Sequence, residues 1–160
     1  MVYALHQLSD DKAIPAIDVF VDSPLAVNVT EVFRLHPECY DAEMRAFLQD
    51  DQDPFGFSRL RYIRHVDESK KLNNLDRPAI IISAAGMCEA GRILHHLKNN
   101  IEDKRNTIMF VGYQAENTLG RRILDGNKEV SILGGRYQVK ADVVSVCLLY
   151  TSPSPRDTAI

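Results

Sequence analysis

Three short segments of this sequence combine small, polar and aromatic residues in a way that could hold a phosphate-bearing ligand. They are Asp22-Ser23-Pro24, Ser83-Ala84-Ala85-Gly86-Met87 and Gly112-Tyr113-Gln114. Each follows an apolar, β-branched run of about strand length. Because ligands of parallel α/β sheets bind outside the carboxyl ends of the strands, we expect the three segments to share one rim of a sheet. Ser23 and Pro24 also suit the start of a helix, as N-cap and first helical residue.

The second segment leads into a stretch that suits anion binding. Ala90 and Gly91 extend the run of small residues, so backbone N–H groups could approach a phosphate beside the positive end of the following helix. Arg92 falls in the first turn of that helix, where the dipole disfavours a cation by roughly 0.3–1 kcal/mol. A residue placed against a local rule suggests a ligand that requires it. The alternative hypothesis is that Arg92 is solvated or forms an ion pair with Glu89.

Arg121 and Arg122 repeat this arrangement near the start of a later helix. For these two arginines we favour the alternative, in which they are solvated or pair with nearby carboxylates such as Glu116 or Asp125. A pair formed by residues four apart on a helix is a common surface arrangement and carries no ligand. They are therefore weaker site candidates than Arg92.

The histidines and cysteines, which hydrolases often use for catalysis or metal binding, do not have the spacing of a known catalytic or metal-binding motif. His95 and His96 are adjacent, and neighbouring helical side chains point about 100° apart, so the two cannot comfortably meet one metal ion. No CxxC, HxxxH, GxGxxG or Walker-type motif occurs. The cysteines, Cys39, Cys88 and Cys147, are distant in sequence and odd in number, which argues against a disulfide framework. We assign no catalytic and no metal-binding residue.

The elements that position these segments alternate between strand and helix. The predicted strands are Ile17–Val21, Leu60–Val66, Ala79–Ser83, Thr107–Val111, Glu129–Leu133 and Tyr137–Val146. The predicted helices are Leu25–Leu35, Asp41–Leu48, Glu68–Leu75, Gly91–Asn100 and Leu119–Leu124. Strands linked through single helices indicate right-handed crossovers. The prediction is an α/β, Rossmann-like three-layer domain whose mostly parallel sheet is flanked by helices.

Bulk composition narrows the possible surroundings of the protein. A length of 160 residues suits one domain, and a hydrophobic fraction of 45% with 26% charged residues is typical of a folded soluble protein. No apolar stretch approaches the roughly 20 residues that span a bilayer, so we expect no membrane association and a cytoplasmic location. The net charge of −3 argues against nucleic-acid binding by charge alone, but not against a local basic cleft.

The three segments, taken with the residues around them, resemble the β-CASP family. The strings are Asp22-Ser23-Pro24-Leu25-Ala26, then Ser83 to Met87 leading to Gly91-Arg92-Ile93-Leu94-His95-His96-Leu97, then Val111-Gly112-Tyr113-Gln114 with Thr118-Leu119-Gly120-Arg121. Within that family, the sequence resembles the bacterial and archaeal ribonucleases that are related to the nuclease subunit of the polyadenylation machinery. The resemblance covers about Met1 to Val146.

The resemblance implies one lobe of a two-lobed, zinc-dependent metallo-β-lactamase-fold ribonuclease that hydrolyses RNA phosphodiester bonds. In that family the other lobe carries two zinc ions through an HxHxDH motif, which this chain lacks. The implied partners are RNA, the missing lobe of the same polypeptide and, as a further option, a second copy in a homodimer. The parent enzyme would use zinc, whereas this fragment would bind none and be inactive alone.

The resemblance also places a set of residues on the face toward the RNA channel. They are Asp22, Ser23, Ser83, Gly86, Met87, Gly91, Arg92, Tyr113, Gln114, Thr118 and Leu119. Within this set we expect Arg92 to contact a phosphate, Tyr113 to stack on a base or donate to a phosphate, and the amides of Gly86 and Gly91 to serve as anion donors.

Two other functions stay open at this point. One is a stand-alone Rossmann-like module that binds a nucleotide or phosphosugar at the same strand rim. The other is a non-catalytic regulatory relative without a nuclease lobe. An HxHxDH motif in the flanking coding sequence would favour the nuclease over both.

The two ends of the chain predict its domain organisation. We expect residues 1–146 to form a β-CASP domain that is incomplete at both ends relative to the parent enzyme. From Cys147 the composition changes, and the run Ser152-Pro153-Ser154-Pro155 is incompatible with a helix or a central strand. We expect residues 147–160 to be a non-native, disordered tail and exclude them from the functional argument.

Overall fold

The computed structural model describes residues 1–50 and 53–146 of the chain. They divide into two units, the first running from Met1 to Ile82 and the second beginning at Ser83. The tail predicted for residues 147–160 lies outside the described residues.

In the described part of the first unit, helices alternate with three strands. Its elements are α1 (Val2–Asp10), β1 (Asp18–Asp22), α2 (Pro24–Leu35), a 3₁₀ turn (Pro37–Cys39), α3 (Ala42–Asp50), β2 (Leu60–Tyr62), α4 (Val66–Lys71), a second 3₁₀ turn (Leu72–Asn74) and β3 (Ala79–Ser83), whose last residue opens the second unit. The strand order is β2-β1-β3, and β1 runs parallel to β2 with Val19 opposite Leu60. As the central strand, β1 is buried from Val19 to Asp22, as expected for a parallel strand covered on both faces.

The core of the first unit forms around β1. Phe20 of this strand packs with Ile63 and Leu72, and the partly buried side chains of Leu75, Ala79 and Ile81 extend the cluster. The cluster gathers residues from all three strand regions of the sheet. Its burial fixes β1 and thereby the position of the polar residues at the end of that strand.

The described residues of the second unit, up to Val146, form two helices and four strands. They are α5 (Ile93–Asn100), β4 (Thr107–Val111), α6 (Leu119–Leu124), β5 (Glu129–Ile132), β6 (Gly135–Gln138) and β7 (Asp142–Val146). β4 pairs in parallel with β7, so that Thr107 lies opposite Asp142 and Val111 opposite Val146. β5 and β6 form an antiparallel hairpin. Both residues between these strands, Leu133 and Gly134, have positive φ (49° and 81°), which is the geometry of a two-residue hairpin turn.

The core of the second unit lies between its two helices and its strands. The buried members are Cys88, Leu97, Ile101, Phe110, Leu119, Ile123, Val130 and Ile132. Alternation along β4 decides which side chains join them: Phe110 is buried, whereas Met109 is 58% exposed on the opposite face. The core therefore contains both Leu119, at the start of α6, and Cys88, in the loop that precedes α5.

The predicted fold class is confirmed, since the chain is α/β with parallel strand pairs. Ala79–Ser83 and Thr107–Val111 have the predicted bounds. The single strand predicted over Tyr137–Val146 was wrong: it is divided between β6 and β7. The Val139 N–H still donates to the Lys128 carbonyl of the hairpin, but the N–H groups of Lys140 and Ala141 both donate to the Ile101 carbonyl. Within the described ranges, no helix is long and apolar enough to cross a membrane.

Candidate functional site

The segment at the end of β1 is buried and internally bonded. Asp22 has no exposed surface, and its carboxylate accepts a hydrogen bond of 2.5 Å from the Ser69 hydroxyl of α4. Ser23 is the N-cap of α2, its Oγ accepting from the Ala26 N–H at 3.2 Å, with Pro24 as first helical residue. The predicted capping role of Ser23 and Pro24 is thus confirmed. Both residues belong to the first unit, and the prediction that they share a rim with the other two segments stays a prediction.

The segment from Ser83 to Gly91 is a tight loop at the start of the second unit. The Ser83 hydroxyl donates to the Ala84 carbonyl, and the Cys88 N–H donates to the Ala85 carbonyl at 3.0 Å. Gly86 and Met87, at the outside of this turn, are exposed. Gly91 has a φ of +81°, and a Cβ at that position would lie 3.1 Å from the Ala84 carbonyl oxygen, so glycine is required there.

Arg92 stands directly before α5. The helix begins at Ile93, two residues later than the predicted start at Gly91, and Arg92 is its N-cap with helical φ and ψ. The Arg92 side chain makes no capping hydrogen bond, while its carbonyl accepts from the N–H groups of His95 and His96. Arg92 is half-buried. Arg92 is therefore at the positive end of α5, as the sequence predicted.

The third segment folds back on the second through Gln114. This side chain is 3% exposed, and its Nε2 donates toward the carbonyl oxygens of Gly86 (3.1 Å), Tyr113 (3.2 Å) and Gly112 (3.4 Å). The predicted neighbours Gly86 and Gln114 are thus brought together. The neighbouring Tyr113, in contrast, is 57% exposed.

The start of α6 is bonded to the same loop. Thr118 is its N-cap, and its Oγ1 accepts from the Arg121 N–H at 3.2 Å while donating to the Ala115 carbonyl at 2.7 Å. The Gly120 N–H donates to the Met87 carbonyl at 3.0 Å, and the Leu119 N–H donates to the Glu89 carboxylate. The Leu119 side chain is 3% exposed within the core. This arrangement leaves the first N–H groups of α6 satisfied by the protein itself.

The later arginines lie at an open surface depression of about 470 Å³, which is lined by Glu116, Asn117, Arg121, Arg122 and Asp125. Arg121 Nε contacts both oxygens of Asp125, at 2.8 and 3.0 Å, and this ion pair raises the pKa of the guanidinium. The predicted pairing of Arg121 with a nearby carboxylate is therefore confirmed.

The described part of the chain does not supply a metal centre. Within residues 1–50 and 53–146, no three side chains of histidine, cysteine, aspartate or glutamate converge as ligands would. His95 is exposed whereas its neighbour His96 is buried, in keeping with their divergent directions on α5. Cys88 is buried, and this burial raises the pKa of its thiol to about 11. The side chains that the structure describes do not fit a zinc site, and no chemical step is assigned to them.

Two residues that hold the site together were not singled out from the sequence. Glu89 caps α6 through the Leu119 N–H, whereas the sequence suggested it only as an ion-pair partner for an arginine. Gly120 packs so closely on Gln114 that a Cβ there would lie 1.9 Å from the Gln114 Oε1. A glycine inside an otherwise helical pattern was the one signal available for this contact.

A family model described as the Beta-Casp domain matches residues 1–123, which is most of the chain. The chain belongs to the β-CASP family. This match spans all three polar segments and extends through the start of α6.

Curated relatives of the chain include proteins named as ribonucleases and as transcription termination factors. A ribonuclease from Thermus thermophilus is 34% identical over 130 residues, which are 81% of this chain and 30% of the relative. The transcription termination factor FttA of Methanosarcina mazei is 33% identical over 122 residues, 76% of this chain and 19% of that protein. An RNase J-like protein of Methanocaldococcus jannaschii is 29% identical over 130 residues, covering 81% of the chain and 29% of the relative. The chain thus spans less than a third of the length of these relatives.

Proposed function

We propose that this chain is the RNA-binding β-CASP lobe of a longer, zinc-dependent, cytoplasmic ribonuclease of the metallo-β-lactamase fold. The observation that carries the proposal is the joining of the Gly86 loop, the Tyr113 loop and the start of α6, which leaves Tyr113 and the Gly86-Met87 turn on the surface. Family membership and relatives named as ribonucleases support it. Zinc bound by the other lobe would supply the hydrolytic chemistry, and no described residue is proposed as its ligand.

Within this proposal the predicted RNA-facing residues separate by exposure. Arg92, Tyr113 and the Gly86-Met87 turn have accessible surface for a phosphate or a base, and the Gly91 amide lies in the same loop. We assign Arg92 to a phosphate, Tyr113 to stacking, and the glycine amides to anion binding. Ser83 and Thr118, which are half-buried, stay in the proposed set as hydroxyl-bearing residues of these segments.

The remaining members have buried side chains whose partners lie within the protein. They are Asp22, Ser23, Gln114 and Leu119, each no more than 5% exposed. Contact with RNA would require their side chains to leave these partners, which costs free energy for each hydrogen bond broken. We therefore propose that these four residues do not contact RNA themselves and instead hold the exposed residues of their own segments in place.

The test is the affinity of the chain for a fluorescently labelled single-stranded RNA, measured by anisotropy over a salt series. Arg92→Ala should weaken binding by about 1–3 kcal/mol, the range for a lost charge-assisted hydrogen bond, and should flatten the salt dependence by about one counterion. Arg92→Lys should restore only part of the affinity, because it keeps the charge but loses the planar fork.

The matched control is Arg136→Ala, which removes an exposed arginine of the hairpin that pairs with Glu129 and should leave RNA affinity within experimental error. If both alanine variants lost the same RNA affinity, the effect would come from the change in net charge and not from a specific contact of Arg92. Binding of a free mononucleotide in preference to RNA would favour the alternative of a stand-alone nucleotide-binding module.

The same proposal predicts that the isolated chain cuts no RNA. In the family the zinc ions are held by an HxHxDH motif and by further histidine and aspartate ligands, and this sequence lacks the HxHxDH motif. After dialysis against zinc, metal analysis of the pure chain should give far less than two ions per molecule, and labelled RNA should stay intact. Metal-dependent cleavage by the pure chain would contradict this assignment.

A further inference from the structure

We infer that Gln114 is a positioning residue, whose buried amide holds the Gly86-Met87 turn and Tyr113 in the arrangement that binds RNA. Its effect on RNA binding rests on the proposed function, whereas its effect on the loop does not. Gln114 touches no ligand in this scheme. It acts through the two exposed segments to which its side chain is bonded.

The hydrogen bonds of Gln114 connect two loops that are distant in sequence. Its Nε2 carries two protons and faces three carbonyl oxygens, one on Gly86 and two on its own loop at Gly112 and Tyr113. The reversed amide would place Oε1 against all three acceptors, so the hydrogen-bond network fixes its orientation. The bond to Gly86 ties the turn before α5 to the residue that follows Tyr113.

The packing around the other end of the amide leads to the same conclusion. Among the described residues, Gln114 Oε1 has no hydrogen-bond donor although it is buried. Gln114 Oε1 lies against Gly120. A Cβ added at Gly120 would be 1.9 Å from Gln114 Oε1 and 3.1 Å from the Met87 carbonyl oxygen. A buried acceptor that has no donor lowers the free energy of unfolding, so stability by itself does not explain a glutamine at this position. What the glutamine contributes is therefore the set of bonds made by Nε2.

The first experiment uses Cys88 as a reporter, because its thiol is 3% exposed in the loop that Gln114 holds. In a Cys39→Ser, Cys147→Ser background it is the only thiol left. Burial and a pKa of about 11 make its reaction with an aromatic disulfide slow at pH 8. Gln114→Met fills the same volume without the bonds and should speed the reaction at least tenfold.

Two comparisons separate loop opening from general loss of stability. Gln49→Met makes the same substitution on the exposed surface of α3 and should leave the rate unchanged. The faster reaction of Gln114→Met should depend little on low urea concentrations, as local opening does, whereas global unfolding would give a steep dependence. A wild-type rate in Gln114→Met would overturn the inference.

The second experiment is a double-mutant cycle on RNA affinity. Tyr113→Ala should weaken binding about tenfold in the wild-type background, the scale of one lost base–aromatic contact. In the Gln114→Met background the same change should cost less than twofold, because Tyr113 is no longer held in place. Additive losses would overturn the positioning role. If the wild-type chain binds no RNA, the proposed function fails, and the thiol rates still test the loop.

Discussion

The two helices of the second unit begin in opposite ways. At the start of α6, three successive N–H groups have acceptors within the protein: Leu119 donates to Glu89, Gly120 to the Met87 carbonyl and Arg121 to Thr118. At the start of α5, the N-cap is Arg92, whose side chain makes no capping bond. The start of α6 is closed by Thr118 and by acceptors of the loop at residues 87–89, whereas the start of α5 combines a cation with an exposed glycine turn.

This difference shows that a helix start placed after a strand and a polar segment is not by itself enough to bind an anion. Both helices follow a polar segment after a strand, and both carry arginines near their start. Of the two, only the α5 end places an arginine at the N-cap beside an exposed turn of small residues, whereas α6 has only six residues and the donors at its start are used internally. The proposed phosphate contact therefore belongs to α5, while α6 serves to hold the loop beside it.

The largest expected effect tests how firmly the α6 end is packed. Gly120→Ala places a Cβ against the buried Gln114 amide and the Met87 carbonyl, and overpacking of this kind should destabilise the protein by about 2–3 kcal/mol. Gly86→Ala is the matched control, because a Cβ at Gly86 meets nothing within 4 Å and should change stability by less than about 0.5 kcal/mol. Urea unfolding curves measure both, and similar losses would remove the distinction between the two loops.

A smaller effect compares the two N-caps directly. Thr118→Ala removes the acceptor for the Arg121 N–H and should lower the free energy of unfolding by about 1 kcal/mol. Arg92→Ala should leave stability constant or raise it slightly, since it removes a cation from the positive end of α5. Melting curves of the two variants and the wild type provide the measurement. A large loss for Arg92→Ala would identify Arg92 as a structural residue and remove the contrast.

The smallest effect concerns the ion pair on α6. Arg121→Ala breaks the contact with Asp125, an exposed pair four residues apart, and should cost no more than about 0.5 kcal/mol. Because such pairs are screened by salt, the difference from wild type should shrink further in 1 M NaCl. Chemical denaturation at low and high salt tests this. A loss that persists in high salt would show that Arg121 contributes packing rather than charge.

Sequence reasoning located the elements better than it located the contacts between them. The strands Ala79–Ser83 and Thr107–Val111 were predictable because continuous apolar runs end at glycine or serine punctuation. The division between β6 and β7 was missed, because the alternating pattern continues through residues 139–141 although the N–H groups of Lys140 and Ala141 both donate to the Ile101 carbonyl, outside the hairpin. Periodicity registers which residues are apolar, but not which carbonyl accepts each N–H.

The candidate site shows the same limit more sharply. The Ser23 cap follows from local chemistry and was predictable, whereas the positive φ of Gly91 and its close approach to the Ala84 carbonyl were not predicted. Gln114 was predicted as a channel-facing side chain, and its burial depends on Gly86, which lies in a different loop. Contacts between segments distant in sequence have no signature in a single chain, so polar residues in loops cannot be sorted into exposed and buried ones beforehand.

The parallel pairing of β4 with β7 has a consequence for the order of folding. These strands are not neighbours in sequence, since α6 and the β5–β6 hairpin lie between them. A hairpin closes within microseconds, whereas a parallel pair must wait until the chain between its strands has been gathered. We expect the hairpin to form before β4 pairs with β7, because during synthesis this parallel pair cannot form until Val146 has left the ribosome.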